Sequence, residues 1–343
     1  MSESLAVKYR PKKFVNVVEQ SSTTAILQSQ LSSGDIKNAY LFCGGAGTGK
    51  TTCARIFASE INDHKGVPIE LDAASNNSVD DVREIIAQSK TASLDSEYKV
   101  FILDEVHALS NNAWQAMLKV LEEPPKKSIF IMCTTDPQKI PKTILSRVQR
   151  FDFQRISQDG IMRRLCTVLS NEYPSKLGPN DIALRVDREA LIYIAKQAQG
   201  GMRDALTLLD KCLSYSTDLT MENVISALGV AKYDLLMDFV NAYIAKDISK
   251  GIQIINKFHM DGYDLKLVMR QLTDFVLDIY KYHMGVEFQY LMCPETDEIK
   301  AFMMNQTWTY DEPMLESLIT LNNEIKWNTS PKARIEAWFI TRR

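Results

Sequence analysis

The sequence predicts an α/β domain built on a parallel sheet with flanking helices, followed by two all-helical modules. Three observations predict it. Apolar runs alternate with helix-period segments over residues 1–155, the pattern of a parallel sheet covered on both faces. A glycine-rich stretch joins the first clear apolar run to the first clear helix. Beyond about residue 155 the strand-like runs fade and helical spacing takes over.

The elements follow in order. AYLFCG (39–44) is a short apolar run ending in glycine. TCARIFASEI (52–61) sets Ala54, Phe57, Ala58 and Ile61 on one helical face. VPIELD (67–72) reads as a strand. SVDDVREIIAQS (78–89) reads as a helix capped by Ser78 with acids in its first turn. YKVFILDEV (98–106) and SIFIMCTTD (128–136) are near-continuous apolar runs, expected as buried strands. Between them NNAWQAMLKVLEEPP (111–125) is a helix stopped by two prolines. DREALIYIAKQAQGGMRDALTLLDKCLSYS (187–216) is helix, Gly-Gly break, helix, and from about 232 the spacing is helical throughout. The expected modules are 1–155, 156–230 and 231–343, with a loop near 171–185.

Composition narrows the class. The chain has 343 residues, 45% hydrophobic and 24% charged, with a net charge of −3. That argues against a generally basic protein but leaves room for a local basic stripe on nucleic acid. Six cysteines form no CxxC pair and four histidines are scattered, so free thiols in a reducing cytoplasm are expected and no zinc site. No apolar run reaches membrane-span length, and MSESLAVKYR is not a signal peptide.

GGAGTGKT, Gly44 to Thr51, fits GxxxxGK[ST] between a strand and a helix, the setting this motif requires. Its glycines let backbone N–H groups close around phosphate, and the helix N-terminus adds a positive dipole end. Lys50 then suits the β/γ-phosphates and Thr51 a Mg²⁺ ion. Asp104 and Glu105 end a strand about fifty residues later, at the edge where α/β sheets bind ligands. Asp104 suits Mg²⁺ and Glu105 a general base for water. Thr134 and Thr135 end the next strand. A hydroxyl there could orient water or touch the γ-phosphate, and a plain β-branched strand end is the competing reading. In ILSRVQRF (144–151) two arginines, Arg147 and Arg150, stand three residues apart after that run.

With these residues in order, the chain resembles the AAA+ clamp-loader ATPases, and among them the gamma/tau family of bacterial DNA polymerase III. The stretches that carry the resemblance are KYRPKKFVNVVEQ (8–20), ELDAASNNSVDDVREI (70–85), DEVHALSNNAWQAMLKVLEEPP (104–125), TTDPQKIPKTILSR (134–147) and GGMRDALTLLD (200–210). NNEIKWNTSPKARIEAWF (322–339) is similar to the end of that family's collar. The chain departs from the pattern at several points. It leaves no room for the four-cysteine zinc insertion of bacterial members. Val17-Val18-Glu19-Gln20 stands where many have VVGQ, and Ser146-Arg147-Val148 where SRC is usual. About a dozen extra residues lie around 171–184, and there is no tau-type tail by residue 343. A phage or compact bacterial member is expected.

The resemblance implies a P-loop AAA+ domain, a helical lid and an all-α collar for oligomerisation, with ATP and Mg²⁺ as cofactors. ATP is implied to lie on Gly44, Gly45, Ala46, Gly47, Thr48, Gly49, Lys50, Thr51 and Thr52, with Tyr9, Arg10, Pro11 and Val18 around the adenine; hydrophobic packing is the alternative for Val18. Thr51 and Asp104 are implied for Mg²⁺, Glu105 as the base, Thr135 as first sensor and Arg203 as second. Arg147 matches the arginine finger that enters a neighbour's site, whereas Arg150 reads as a strand or rim residue. Arg83 and Lys119 match positions facing DNA, and Asn76, Asn77 and Ser78 stand where residues are often basic or polar, still able to donate hydrogen bonds; solvated surface is the competing reading for all five. The implied partners are other clamp-loader subunits in a ring, taken as a pentamer, a sliding clamp and primer–template DNA, in the cytoplasm of a bacterium or phage-infected cell and away from membranes. A nucleotide-gated structural subunit with little turnover, or another AAA+ DNA-processing machine, are the alternative functions.

Overall fold

In the computed structural model, residues 3–93, 95–173, 185–306 and 314–341 are described. The expected insertion at 171–184 therefore falls almost entirely outside the described residues. The chain divides into two compact units, residues 1–172 with 198–207, and residues 173–197 with 208–343.

The first unit is a three-layer α/β sandwich. Its strands are β1 (Ala39–Gly44), β2 (Ile69–Asp72), β3 (Lys99–Asp104), β4 (Ser128–Thr134) and β5 (Gln149–Phe153), and its helices α1 (Leu5–Lys8), α2 (Ser21–Ser33), α3 (Lys50–Ile61), α4 (Val79–Ser89), α5 (Asn111–Glu122), α6 (Lys142–Leu145) and α7 (Gln158–Glu172). All pairings are parallel, in the order β2-β3-β4-β1-β5. Strand alternation explains why both faces are apolar. Ala39, Leu41, Cys43, Phe101, Leu103, Phe130 and Met132 pack under α4 and α5. Tyr40, Phe42, Val100, Ile102, Ile129, Ile131 and Phe151 pack against α2 and α3. Parallel pairing brings every strand's carboxyl end to one edge, where loops gather the polar residues.

α4 forms where Ser78 was expected to cap it. The Ser78 hydroxyl accepts from the Asp81 N–H, and the Asp81 carboxylate accepts from the Ser78 N–H, a complete capping box. α2 owes less to periodicity, because its buried residues Thr23, Thr24, Leu27 and Gln30 are mostly polar.

The second unit holds α8 (Arg188–Gln197), the greater part of α9 (Met202–Tyr215), α10 (Met221–Leu228), α11 (Tyr233–Ile244), α12 (Ile248–Met260), α13 (Leu265–His283), α14 (Asp297–Asn305), α15 (Met314–Ile325) and α16 (Pro331–Thr341). Aromatic packing centres it: the Trp338 ring stacks on Phe239 and Tyr243, with Phe339 edge-on to Phe239. Gly251 lies so close under the Phe339 ring that any side chain there would overlap it. The buried Gln271 amide accepts from the Ala231 N–H at 2.8 Å and donates to its carbonyl at 2.9 Å, pinning the chain before α11 to α13. Asp278 is fully buried, its Oδ2 accepting from the Cys293 N–H at 2.8 Å. Burial raises its carboxyl above the usual range. None of the described helices is long and apolar enough to cross a membrane.

Candidate functional site

The phosphate loop runs from β1 into α3. Gly47 and Gly49 both adopt left-handed φ, +70° and +103°. At Gly47 a side chain would also press on the Gly201 backbone. The contact is reinforced by the Met202 N–H, which donates to the Gly47 carbonyl at 2.9 Å. The start of α9, which carries Arg203, is thus fixed to the loop within the first unit.

The loop is built to receive an anion. No side chain caps the N-terminus of α3, so its first-turn N–H groups remain for a ligand. Lys50 is 6% exposed, and its ammonium donates to the Gly44 and Gly45 carbonyls at 2.9 and 2.8 Å. Burial lowers its pKa, opposed by Glu105 and Asp104; a phosphate beside it would favour the charged form. The Thr48 hydroxyl donates to the Gly45 carbonyl at 2.9 Å, tightening the turn.

Across the loop the Thr51 hydroxyl donates to Asp104 Oδ2 at 2.7 Å. A hydroxyl and a carboxylate are hard oxygen donors, the ligand chemistry Mg²⁺ prefers. Glu105 follows in the left-handed region, φ 49° and ψ 43°. That conformation costs a non-glycine residue roughly 1–3 kcal/mol and clusters at functional sites. Its Oε2 accepts from the Thr135 N–H at 3.1 Å and the Thr135 hydroxyl at 2.8 Å. His107 Nδ1 stands 3.1 Å from the same oxygen and 3.3 Å from Thr134 Oγ1. Thr134 itself is fully buried and caps the turn by accepting from the Asp136 N–H.

A cavity of about 480 Å³ collects these groups. Tyr9, Arg10, Pro11 and Val18 line it, together with Ala46 to Thr52, Asp104, Glu105 and Arg203. Gly44 and Gly45 contribute through their carbonyls on Lys50, and Thr135 through its bonds to Glu105. Around the Tyr9 end, the phenol donates to Glu172 at 2.5 Å, and Arg164 donates to the Tyr9 carbonyl at 2.8 Å. Burial and the Glu172 contact push the Tyr9 hydroxyl up to about 12.

Arg147 is not among the residues lining this cavity. Its guanidinium donates to Glu122 of α5 at 2.7 Å and to the Thr143 carbonyl at 2.7 Å. Arg150 makes a two-pronged pair with Asp152 on β5. The five residues expected at DNA are also apart from the cavity. Arg83 pairs with Asp80 at 2.9 Å on α4, and Lys119 is exposed on α5, which packs against α4. The Asn76 amide donates to the Asp72 carbonyl at 3.0 Å and Ser78 serves the capping box, while Asn77 is exposed.

Two further residues were not singled out from the sequence as site residues. Gln20, 4% exposed, donates to the Gln154 carbonyl at 2.8 Å and reaches the Thr48 carbonyl at 3.5 Å, tying the loop to the end of β5. Glu19 takes a left-handed φ of 57°, the conformation a glycine supplies without strain. Its carboxylate holds Ser157, accepting from the N–H at 2.6 Å and the hydroxyl at 2.5 Å. Ser157 in turn caps α7 by accepting from the Gly160 N–H at 3.0 Å. Glu19→Ala keeps the strain and loses the cap's support. We expect a destabilisation of about 1–2 kcal/mol, read as a lower melting temperature. Glu19→Gly should lose less, since it also removes the strain.

Known proteins share this organisation. Residues 67–157 match the family "DNA polymerase III, delta subunit", residues 180–218 "DNA polymerase III clamp loader subunit, ATPase lid domain", and residues 219–308 "DNA polymerase III subunits gamma and tau domain III". The chain is 36% identical to DNA polymerase III subunit tau of Bacillus subtilis, over 96% of this chain and 61% of that protein. It is 30% identical to DNA polymerase III subunit gamma of Buchnera aphidicola from Acyrthosiphon pisum, over 97% and 96%. With the Escherichia coli tau subunit it shares 32% identity over 78% of this chain and 44% of that one. The chain thus spans nearly all of a gamma protein but about half of the longer tau relatives. Among solved structures, the Thermotoga maritima RuvB Holliday junction branch migration motor superposes with a TM-score of 0.51 at 16% identity, covering 81% of this chain and 86% of that one. At that identity the likeness speaks for the fold alone.

Proposed function

The chain belongs to the DNA polymerase III gamma/tau family, and on that premise we propose that it is an ATPase subunit of a DNA-replication clamp loader. ATP binding closes a ring of subunits that opens a sliding clamp and grips primer–template DNA, and hydrolysis releases the clamp on DNA. The observation that carries the reading is the convergence on one cavity of Lys50, the 2.7 Å Thr51–Asp104 pair, Glu105 and Arg203.

In this reading Gly44 to Thr52 hold the phosphates, Lys50 meets the β/γ-phosphates, and Tyr9, Arg10, Pro11 and Val18 frame the adenine. Thr51 and Asp104 would hold Mg²⁺, which when bound would supply charge neutralisation on the phosphates. Glu105 takes the proton of the attacking water, Thr135 is the first sensor, and Arg203 reaches the γ-phosphate from the start of α9. Arg147 serves the neighbouring subunit's site. Arg83 and Lys119 contact DNA phosphates with Asn76, Asn77 and Ser78 beside them. Support for the pairing of Arg83 with Lys119 is the packing of α4 on α5; Asn76 and Ser78 are the weaker members because their side chains serve local bonds. The modules are 1–155 for ATP, 156–230 for the lid and 231–343 for a collar that joins the ring, taken as a pentamer in the cytoplasm.

ATP turnover of the assembled protein, measured with clamp and primed DNA each omitted in turn, tests the reading. Stimulation by both together is the expected result. An assembled complex whose turnover ignores both would overturn it.

A further inference from the structure

We propose that His107 is a positioning residue for the base Glu105, acting through its Nδ1–H; this rests on the ATPase reading above. Two hydrogen bonds reach one oxygen of Glu105, from the Thr135 N–H and the Thr135 hydroxyl, and His107 Nδ1 stands 3.1 Å from the same oxygen. A carboxylate only accepts, so the tautomer with its proton on Nδ1 is the one that can serve this oxygen. The same nitrogen is hydrogen-bonded to Thr134 Oγ1 at 3.3 Å. Thr134 is fully buried at the end of β4, so the imidazole is anchored to the sheet as well as to the base.

These three groups do not have equal duties. The Thr135 hydroxyl is claimed twice, by Glu105 here and by the γ-phosphate when a nucleotide arrives. The second contact of His107 is Thr134, which is fixed in the sheet. His107 stands on the turn directly after Glu105, Val106–Ala108, and is the side chain that can keep Oε2 engaged when Thr135 turns to phosphate. With Oε2 occupied, Oε1 is left without a hydrogen bond among the described residues, on a side chain that lines the cavity. The oxygen that must accept a proton from water is therefore the unencumbered one. Lost orientation of a catalytic group lowers turnover without changing substrate affinity.

Three replacements separate this role from simple packing. His107→Phe keeps the ring and removes the donor. His107→Asn sets an amide N–H near the Nδ1 position, and His107→Gln sets one near Nε2. In the full chain, assembled as for the wild type, we expect His107→Phe to lower kcat by roughly tenfold with KM and ATP-analogue affinity unchanged. His107→Asn should recover most of the rate, and His107→Gln should stay with Phe. A Phe variant turning over like the wild type, equal Asn and Gln rates, or lost nucleotide affinity in the Phe variant would each overturn the inference. Wild-type assemblies without turnover would overturn the ATPase reading itself, so the two failures are distinguishable.

Discussion

Replacing Arg147 by alanine is expected to lower ATP turnover of the assembled protein by roughly 10³-fold or more, with nucleotide affinity nearly unchanged. The geometry motivates both halves. Arg147 lies off the cavity of its own chain, so its removal leaves the ATP contacts intact. A well-placed arginine on a transferring phosphoryl group supplies about 10³–10⁵ in rate, some 4–7 kcal/mol. Against that, the half-exposed pair with Glu122 contributes about 0–1 kcal/mol. The home contact can therefore hold the guanidinium ready without seriously opposing its transfer to a neighbour. Arg150, pinned by two bonds to Asp152, should tolerate alanine with little loss. Mixed assemblies make the test sharper. A chain with Lys50→Ala still owns Arg147, and should restore turnover to a chain with Arg147→Ala. Turnover by Arg147→Ala assemblies at the wild-type rate would end the trans reading.

Glu105→Gln is the second large effect. Loss of the base proposed for water should lower turnover by about 10²–10⁴. The amide is nearly isosteric, and its carbonyl oxygen can still accept from Thr135 and His107, so ATP binding and assembly should persist. The same variant decides between a motor and a nucleotide-gated scaffold. A scaffold has no use for the base, and would load clamps through many rounds with glutamine at 105.

Much of the fold could be read in advance because the signals were local. AYLFCG, KVFILD and SIFIMCT are apolar on both faces, and they became three neighbouring strands, β1, β3 and β4. Ser78 capped its helix as its sequence context demanded. α2 was not legible, because its inward face carries Thr23, Thr24 and Gln30, and polar residues leave no hydrophobic period. Its partners lie far along the chain: Gln30 donates to Gln149 at 2.7 Å. At the site, the loop glycines, Lys50, Thr51, Asp104 and Glu105 announced themselves by spacing. His107 and Gln20 did not. Their Thr134 and Gln154 contacts lie far along the chain, and nothing in the residues beside them names those atoms. Glu19 was visible only as a departure from glycine; its use emerged once Ser157 stood opposite it.

That last feature links two positions 141 residues apart. The Glu19 carboxylate occupies the space where a side chain at Gly160 would go. With glutamate at 19, a side chain at 160 must displace that carboxylate and with it the Ser157 contacts; with glycine at 19, it meets no such obstacle. The two sites therefore cannot drift independently. A change at 160 costs more on a glutamate-19 background than on a glycine-19 one, so the order in which the two substitutions arise shapes which histories are open to the lineage.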